Sequence, residues 1–175
     1  DKAEFLVFKT AEREIRAEIG GQLVEAKIDG IESRRAACAK VLARLKKLSD
    51  AEKDEALENL ARELKVEMPA LPPPEYAPLS WDEAREMDAG GFAVESHTVS
   101  HPILTNADDE RLAFELSESR RRLENRLQRD VKLFCYPNGD SGQREFAAAE
   151  AAGYECAVTT RFGLCDGTES LFALP

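Results

Sequence analysis

Residues 68–74 read Met-Pro-Ala-Leu-Pro-Pro-Pro, and neither a helix nor a central strand can run through them. Each proline lacks the N–H that a helical turn or a ladder needs and holds φ at about −65°. The stretch reads as a stiff, extended linker. It divides the 175 residues into two parts of different texture, and a boundary near Glu75 is expected, with 1–75 and 76–175 as separate units.

The first part opens with two alternating runs. Arg13 to Ile19 and Gln22 to Ile28 alternate apolar and polar residues around Gly20-Gly21, the pattern of a β-hairpin with one solvated face. From Ile31 to Leu48, the residues Ala37, Val41, Leu42, Leu45 and Leu48 recur at helical spacing. Ser49-Asp50-Ala51-Glu52 has the form of a capping box, in which serine and glutamate each satisfy a backbone N–H at a helix start. It opens a second helix to about Lys65, with Leu57, Leu60, Ala61 and Leu64 on one stripe. Two adjacent amphipathic helices predict an antiparallel pair. Nothing in them carries chemistry.

The second part alternates strands with helices, which implies parallel βα units. Ser80-Trp81-Asp82-Glu83 is another capping box, and Gly90-Gly91 supplies the stop of its helix. Phe92 to Ser96 reads as a short strand, 108–128 as a long helix with Leu112, Leu116, Leu123 and Leu127 recurring, and Val131 to Tyr136 as an apolar strand. Pro137-Asn138-Gly139-Asp140 breaks that strand. An alanine-rich helix over 143–152 and a strand from Tyr154 to Thr160 follow.

Charge narrows the function classes. A net charge of −10 excludes a nucleic-acid binder, which needs clustered cations against phosphate, and disfavours docking to an anionic membrane. No apolar run approaches the roughly 20 residues that span a bilayer. The first residues show no signal peptide, so a cytoplasmic location is mildly favoured. Cys38, Cys135, Cys156 and Cys165 form no C-x-x-C pair and read as buried, reduced thiols. A Cys156–Cys165 bridge across a turn is the alternative.

The chain holds only two histidines, four apart: His97-Thr98-Val99-Ser100-His101. Neutral imidazole is a common zinc ligand, and two at this spacing share one ion if the backbone turns suitably. Thr98 stands where the zinc-protease motif H-E-x-x-H has its glutamate, so the base of a metalloprotease is missing. The pair follows a strand and precedes Pro102, which places it on a turn at a strand's carboxyl end, where α/β folds keep their sites. The plain alternative is two polar histidines on a loop.

Gly90 to Thr105, Gly-Gly-Phe-Ala-Val-Glu-Ser-His-Thr-Val-Ser-His-Pro-Ile-Leu-Thr, resembles the second motif of the polysaccharide deacetylases, the NodB-homology group of carbohydrate esterase family 4. The likeness continues through Glu115 to Glu124. Val131-Lys-Leu-Phe-Cys-Tyr-Pro-Asn-Gly139 resembles the third motif, and Ala152 to Thr160 the next βα unit. It covers roughly 78–175, while 1–75 resembles a helical insertion of some bacterial members. The implied fold is α/β: part of an irregular (β/α)7 barrel, NodB-like, with a β-hairpin plus helix-pair insertion.

The resemblance implies a hydrolase of carbohydrate metabolism that removes N-acetyl groups from a polysaccharide, cutting a carbon–nitrogen bond that is not a peptide bond. It implies a divalent metal, often zinc, on His97 and His101. Such chemistry needs a base for the water proton, an acid for the leaving amine, and donors facing the developing oxyanion. The loop Tyr136-Pro137-Asn138-Gly139 matches the substrate and oxyanion loop, with Asn138 and Gly139 at the donor and Tyr136 and Pro137 shaping the groove wall. Its plain reading is a turn after a strand.

This sequence departs from the family pattern in several places. The first motif, Thr-Phe-Asp-Asp-Gly, supplies the third ligand and the base, and it is missing here, as is a later histidine acting as general acid. No catalytic residue is therefore identified, and truncation at both ends is expected. Cys135 stands where many members have the arginine that orients the base. Glu95 replaces a small residue and is expected to be solvated. The expected partner is an N-acetylated polysaccharide or oligosaccharide, with room for a homo-oligomer. The expectation for this chain by itself is weak metal binding and little or no turnover. The alternative is a non-catalytic deacetylase-like domain that binds glycan or oligomerises.

Overall fold

A computed structural model describes residues 2–74 and 77–175. The expected boundary at Glu75 lies outside the described residues. The chain separates into two units, 1–78 and 79–175.

The first unit is built on the hairpin. Strands β1 (Glu14–Ile19) and β2 (Gln22–Lys27) pair antiparallel, with Ile19 opposite Gln22. Gly20 and Gly21 turn the chain at φ +57° and +71°, the left-handed pair that a tight two-residue hairpin requires. Along β1, Ile15, Ala17 and Ile19 are buried while Glu14, Arg16 and Glu18 face water, as the alternation predicts.

Two helices follow, α2 (Ile31–Leu45) and α3 (Asp50–Glu63), and a third precedes the hairpin, α1 (Lys2–Lys9). The expected pair of helices is in fact a group of three. α1 packs against both α2 and α3, and those two cover the hairpin. Ala3, Leu6 and Val7 of α1 join Ala37, Val41, Leu45, Leu60 and Leu64 in one core. The end of α1 is satisfied from a distance: Arg34 donates to the carbonyls of Val7 and, at 3.1 Å, Thr10. A cation there also opposes the negative end of the helix dipole. Ser49 and Glu52 form the expected capping box of α3.

The second unit begins with α4 (Trp81–Ala89), capped by Ser80 and Glu83. Gly91, at φ +90°, supplies its left-handed stop. Then come α5 (Asp109–Leu127), β3 (Leu133–Cys135), α6 (Gln143–Ala151) and β4 (Cys156–Val158). β3 and β4 run parallel, with Phe134 opposite Ala157. Ser96 bridges to Phe134 and Leu174 to Val158, both parallel. Four segments thus lie side by side in the order Ser96, β3, β4, Leu174. Phe134, Tyr136, Tyr154 and Ala157 meet Leu112 and Leu116 of α5 and Ala149 of α6 in the core.

The strand expected over 92–96 is reduced to its last residue, because side chains take the backbone groups that would pair. The Val94 N–H donates to Asp88 Oδ1 at 3.2 Å, and its carbonyl accepts from Arg129 at 2.8 Å. Glu95 Oε2 accepts the N–H groups of Lys132 and Leu133 at 3.1 and 3.0 Å. Arg129 pairs with Asp88 and Glu95 at 2.6 and 2.9 Å. The expectation of a solvated Glu95 is therefore corrected: it closes the start of β3.

All four cysteines are free, so Cys156 and Cys165 form no bridge. Only Cys38 is buried, and Cys165 is exposed. Among the described residues no helix is long and apolar enough to cross a membrane.

Candidate metal centre

Because the segments at Ser96, β3 and β4 run parallel, the loops that leave them emerge on one edge. Those loops begin at His97, Tyr136 and Thr159. Ser96 itself is fully buried and sits in a hydroxyl cluster. It donates to Ser119 Oγ of α5 at 2.8 Å and accepts from the Tyr154 hydroxyl at 2.7 Å. The residue just before the first histidine is thereby tied to a helix and to the core.

His97 leaves this anchor for the surface. Its Nδ1 lies 2.7 Å from the carbonyl oxygen of Cys135 on the neighbouring strand. A carbonyl only accepts, so Nδ1 carries a proton, and in the neutral ring the lone pair then lies on Nε2, the tautomer of a metal-ligating imidazole held by its outer hydrogen bond. The ring centroids of His97 and His101 are 4.7 Å apart with planes at 72°. Both residues are exposed.

The intervening backbone is not helical. Thr98 and His101 lie in the left-handed region, at φ +70° and +58°, which is uncommon for any residue with a Cβ and a real outlier for a β-branched one. Four hydrogen bonds hold the turn. Thr98 Oγ1 accepts the His101 N–H at 2.9 Å. Glu115 Oε2 of α5 accepts the N–H groups of Val99 and Ser100 at 2.6 and 3.0 Å. Glu115 Oε1 accepts the Ser100 hydroxyl at 2.6 Å. Pro102, buried, pins the exit.

Sequence reasoning gave Glu115 no role, although a signal was there. It stands three residues after Leu112 and four before Ser119, on the buried stripe of α5, where a carboxylate needs hydrogen-bonding partners to be tolerated.

The second predicted loop follows β3. Tyr136 and Pro137 are core residues rather than groove wall: Tyr136 is 2% exposed, Pro137 is buried, and the Tyr136 hydroxyl donates to the Phe172 carbonyl at 3.1 Å. Burial, with the charge of Glu145 behind it, pushes the phenol well above its usual range. Asn138 and Gly139 take left-handed conformations at φ +60° and +78°. The Gly139 N–H donates to the Tyr136 carbonyl at 2.9 Å, so in this turn it is not directed at a ligand. The Cys135 thiol is half-buried and raised, first by burial and then by the nearby charge of Glu95.

As a donor set, the two imidazoles fit part of a divalent-cation site. Two nitrogens are brought together with one tautomer fixed, but no group of three or more His, Cys, Asp or Glu side chains converges among the described residues. A four-coordinate ion would need further ligands beside these two.

The profile of the family described as "Polysaccharide deacetylase" matches residues 44–157. A putative polysaccharide deacetylase of Bacillus subtilis, YxkH, is 28% identical over 96 residues, 55% of this chain and 34% of its own length. Among solved structures, the Streptococcus pyogenes deacetylase PplD in complex with acetate is 27% identical with a TM-score of 0.55, over 58% of this chain and 45% of that one. A polysaccharide deacetylase from Bacillus cereus shares the fold, with a TM-score of 0.50 at 23% identity, over 69% of this chain and 42% of its own. The chain therefore spans about a third of the curated relative and less than half of each solved structure. On the family match over most of its length, the chain belongs to the polysaccharide deacetylase family.

Proposed function

We propose that this chain carries the two-histidine portion of a divalent-metal centre, zinc being the first choice, in an enzyme that removes N-acetyl groups from a polysaccharide. The observation that supports this most is the pairing of His97 and His101, 4.7 Å apart on the carboxyl edge of a parallel sheet. The four parallel segments form an arc of a (β/α)7 barrel that further strands complete. The hairpin and its helices form an insertion, with the division falling at the proline linker.

When bound, such an ion polarises the acetyl carbonyl and lowers the pKa of water. This chain's contribution is positional. His97 presents Nε2 because Cys135 holds its Nδ1 proton. His101 is brought beside it by the left-handed turn. The loop after β3 borders the same edge, and its Asn138–Gly139 segment is proposed as the oxyanion loop. The base and the acid come from outside the described set.

The test is a Zn2+ titration run alongside acetate release from N-acetylglucosamine oligomers and peptidoglycan. The expected result for the 175-residue chain is weak Zn2+ binding that His97→Ala and His101→Ala abolish, with turnover near background. Robust turnover by this chain would overturn the incomplete-site reading. Glycan binding with no dependence on metal or on either histidine would replace it with a non-catalytic, carbohydrate-binding role.

A further inference from the structure

Glu115 has no exposed surface, and its hydrogen bonds converge on the histidine turn. Both of its oxygens are used there, Oε2 by the backbone of Val99 and Ser100 and Oε1 by the Ser100 hydroxyl. Arg111, one turn earlier on α5, stands 2.8 Å from Oε1 and balances the charge. Its guanidinium also donates to Ser100 Oγ at 2.7 Å. A desolvated carboxylate is tolerated only when so paired and bonded.

The arrangement has a consequence for the imidazoles. They stand at the two ends of a five-residue turn whose middle is held by Glu115. Thr98 sits in a sparsely populated conformation, which persists only where the surroundings impose it. Without the carboxylate, Thr98 is free to relax toward negative φ, and His101 moves relative to His97.

We propose that Glu115 is a positioning residue for the histidine pair: its buried carboxylate, balanced by Arg111, fixes the Thr98–Ser100 turn so that both imidazoles face one divalent cation. The cation part rests on the function proposed above; the turn part does not.

The test uses Glu115→Gln, which keeps the side-chain shape but replaces one acceptor oxygen with a donor. Ser100→Ala, an exposed change that removes the hydroxyl's bonds to Glu115 and Arg111 but leaves the two backbone bonds to Oε2, serves as the milder variant should the first fail to fold. Amide exchange at Val99 and Ser100 and the nuclear Overhauser contact between the two imidazoles report on the turn, and Zn2+ affinity reports on the pair. In Glu115→Gln, exchange at both amides is expected to rise, the inter-ring contact to fade, and Zn2+ affinity to fall by about 10–100-fold, while contacts among Phe134, Tyr136 and Tyr154 persist. Ser100→Ala is expected to show smaller changes of the same sign. Unchanged exchange and ring contact in the folded variants would overturn the assignment, as would a loosened turn that leaves Zn2+ affinity intact. If the unaltered chain takes up no Zn2+, the metal reading fails, and the exchange and ring-contact data still decide the role of Glu115 in the turn.

Discussion

A Cβ added to Gly139 would lie 2.8 Å from the backbone nitrogen of Thr160 and closer still to its hydroxyl, at a φ of +78°. Both the conformation and the neighbour exclude a side chain. Gly139→Ala is expected to destabilise the second unit by about 1–3 kcal/mol, the cost of a backbone held in a region its residue disfavours. Adding Thr160→Gly should not restore stability in a urea melt, because the obstructing nitrogen belongs to the main chain; full rescue would contradict this account. Single residues were unevenly legible. His97 and His101 stood out as the only histidines at a ligand spacing. Glu95 and Glu115 did not, because one-dimensional reading treats a carboxylate as solvated. What decides otherwise is the set of N–H groups brought to it by β3 and by the histidine turn, which are distant in sequence.

The elements themselves were mostly visible, since periodicity and caps are local. The hairpin follows from alternation around two glycines, and α3 and α4 start at their serine–glutamate boxes. α1 went unread: it is only eight residues long, too short to hold without the core it packs on. The strand at 92–96 failed for the opposite reason, because Asp88, Glu95 and Arg129 take its backbone partners. This ion cluster carries a pH signature. Hydrogen bonding from Arg129 holds the Asp88 carboxyl below its ordinary value. A depressed carboxyl binds fewer protons folded than unfolded. Its stabilisation is thus complete above the unfolded value of about 3.9 and declines as pH falls through the lower folded value. Replacing Arg129 with Met should lower the urea midpoint at pH 7 and narrow the gap from the unaltered chain below about pH 4. Parallel curves from pH 7 to pH 2 would show that Asp88 gains nothing from the arginine.

At the scale of the whole molecule, each unit has its own core, and the proline stretch that suggested two parts lies near the end of the first unit, which runs to Pro78. The parallel order of the second unit was expected from its alternating strands and helices. Closure into a barrel is a proposal, because the chain spans less than half of the solved relatives it resembles. The site follows the same division. The sequence-distant contact between His97 and Cys135 sets a tautomer that no motif reveals. Among the described residues no cluster of three or more His, Cys, Asp or Glu side chains forms around the histidine pair. The central claim is that the two histidines act together on a single ion. A Co2+ titration followed by the visible spectrum tests it most directly. The account predicts one ion per chain, with the absorption lost in both His97→Ala and His101→Ala. An unchanged binding curve in His97→Ala would contradict it.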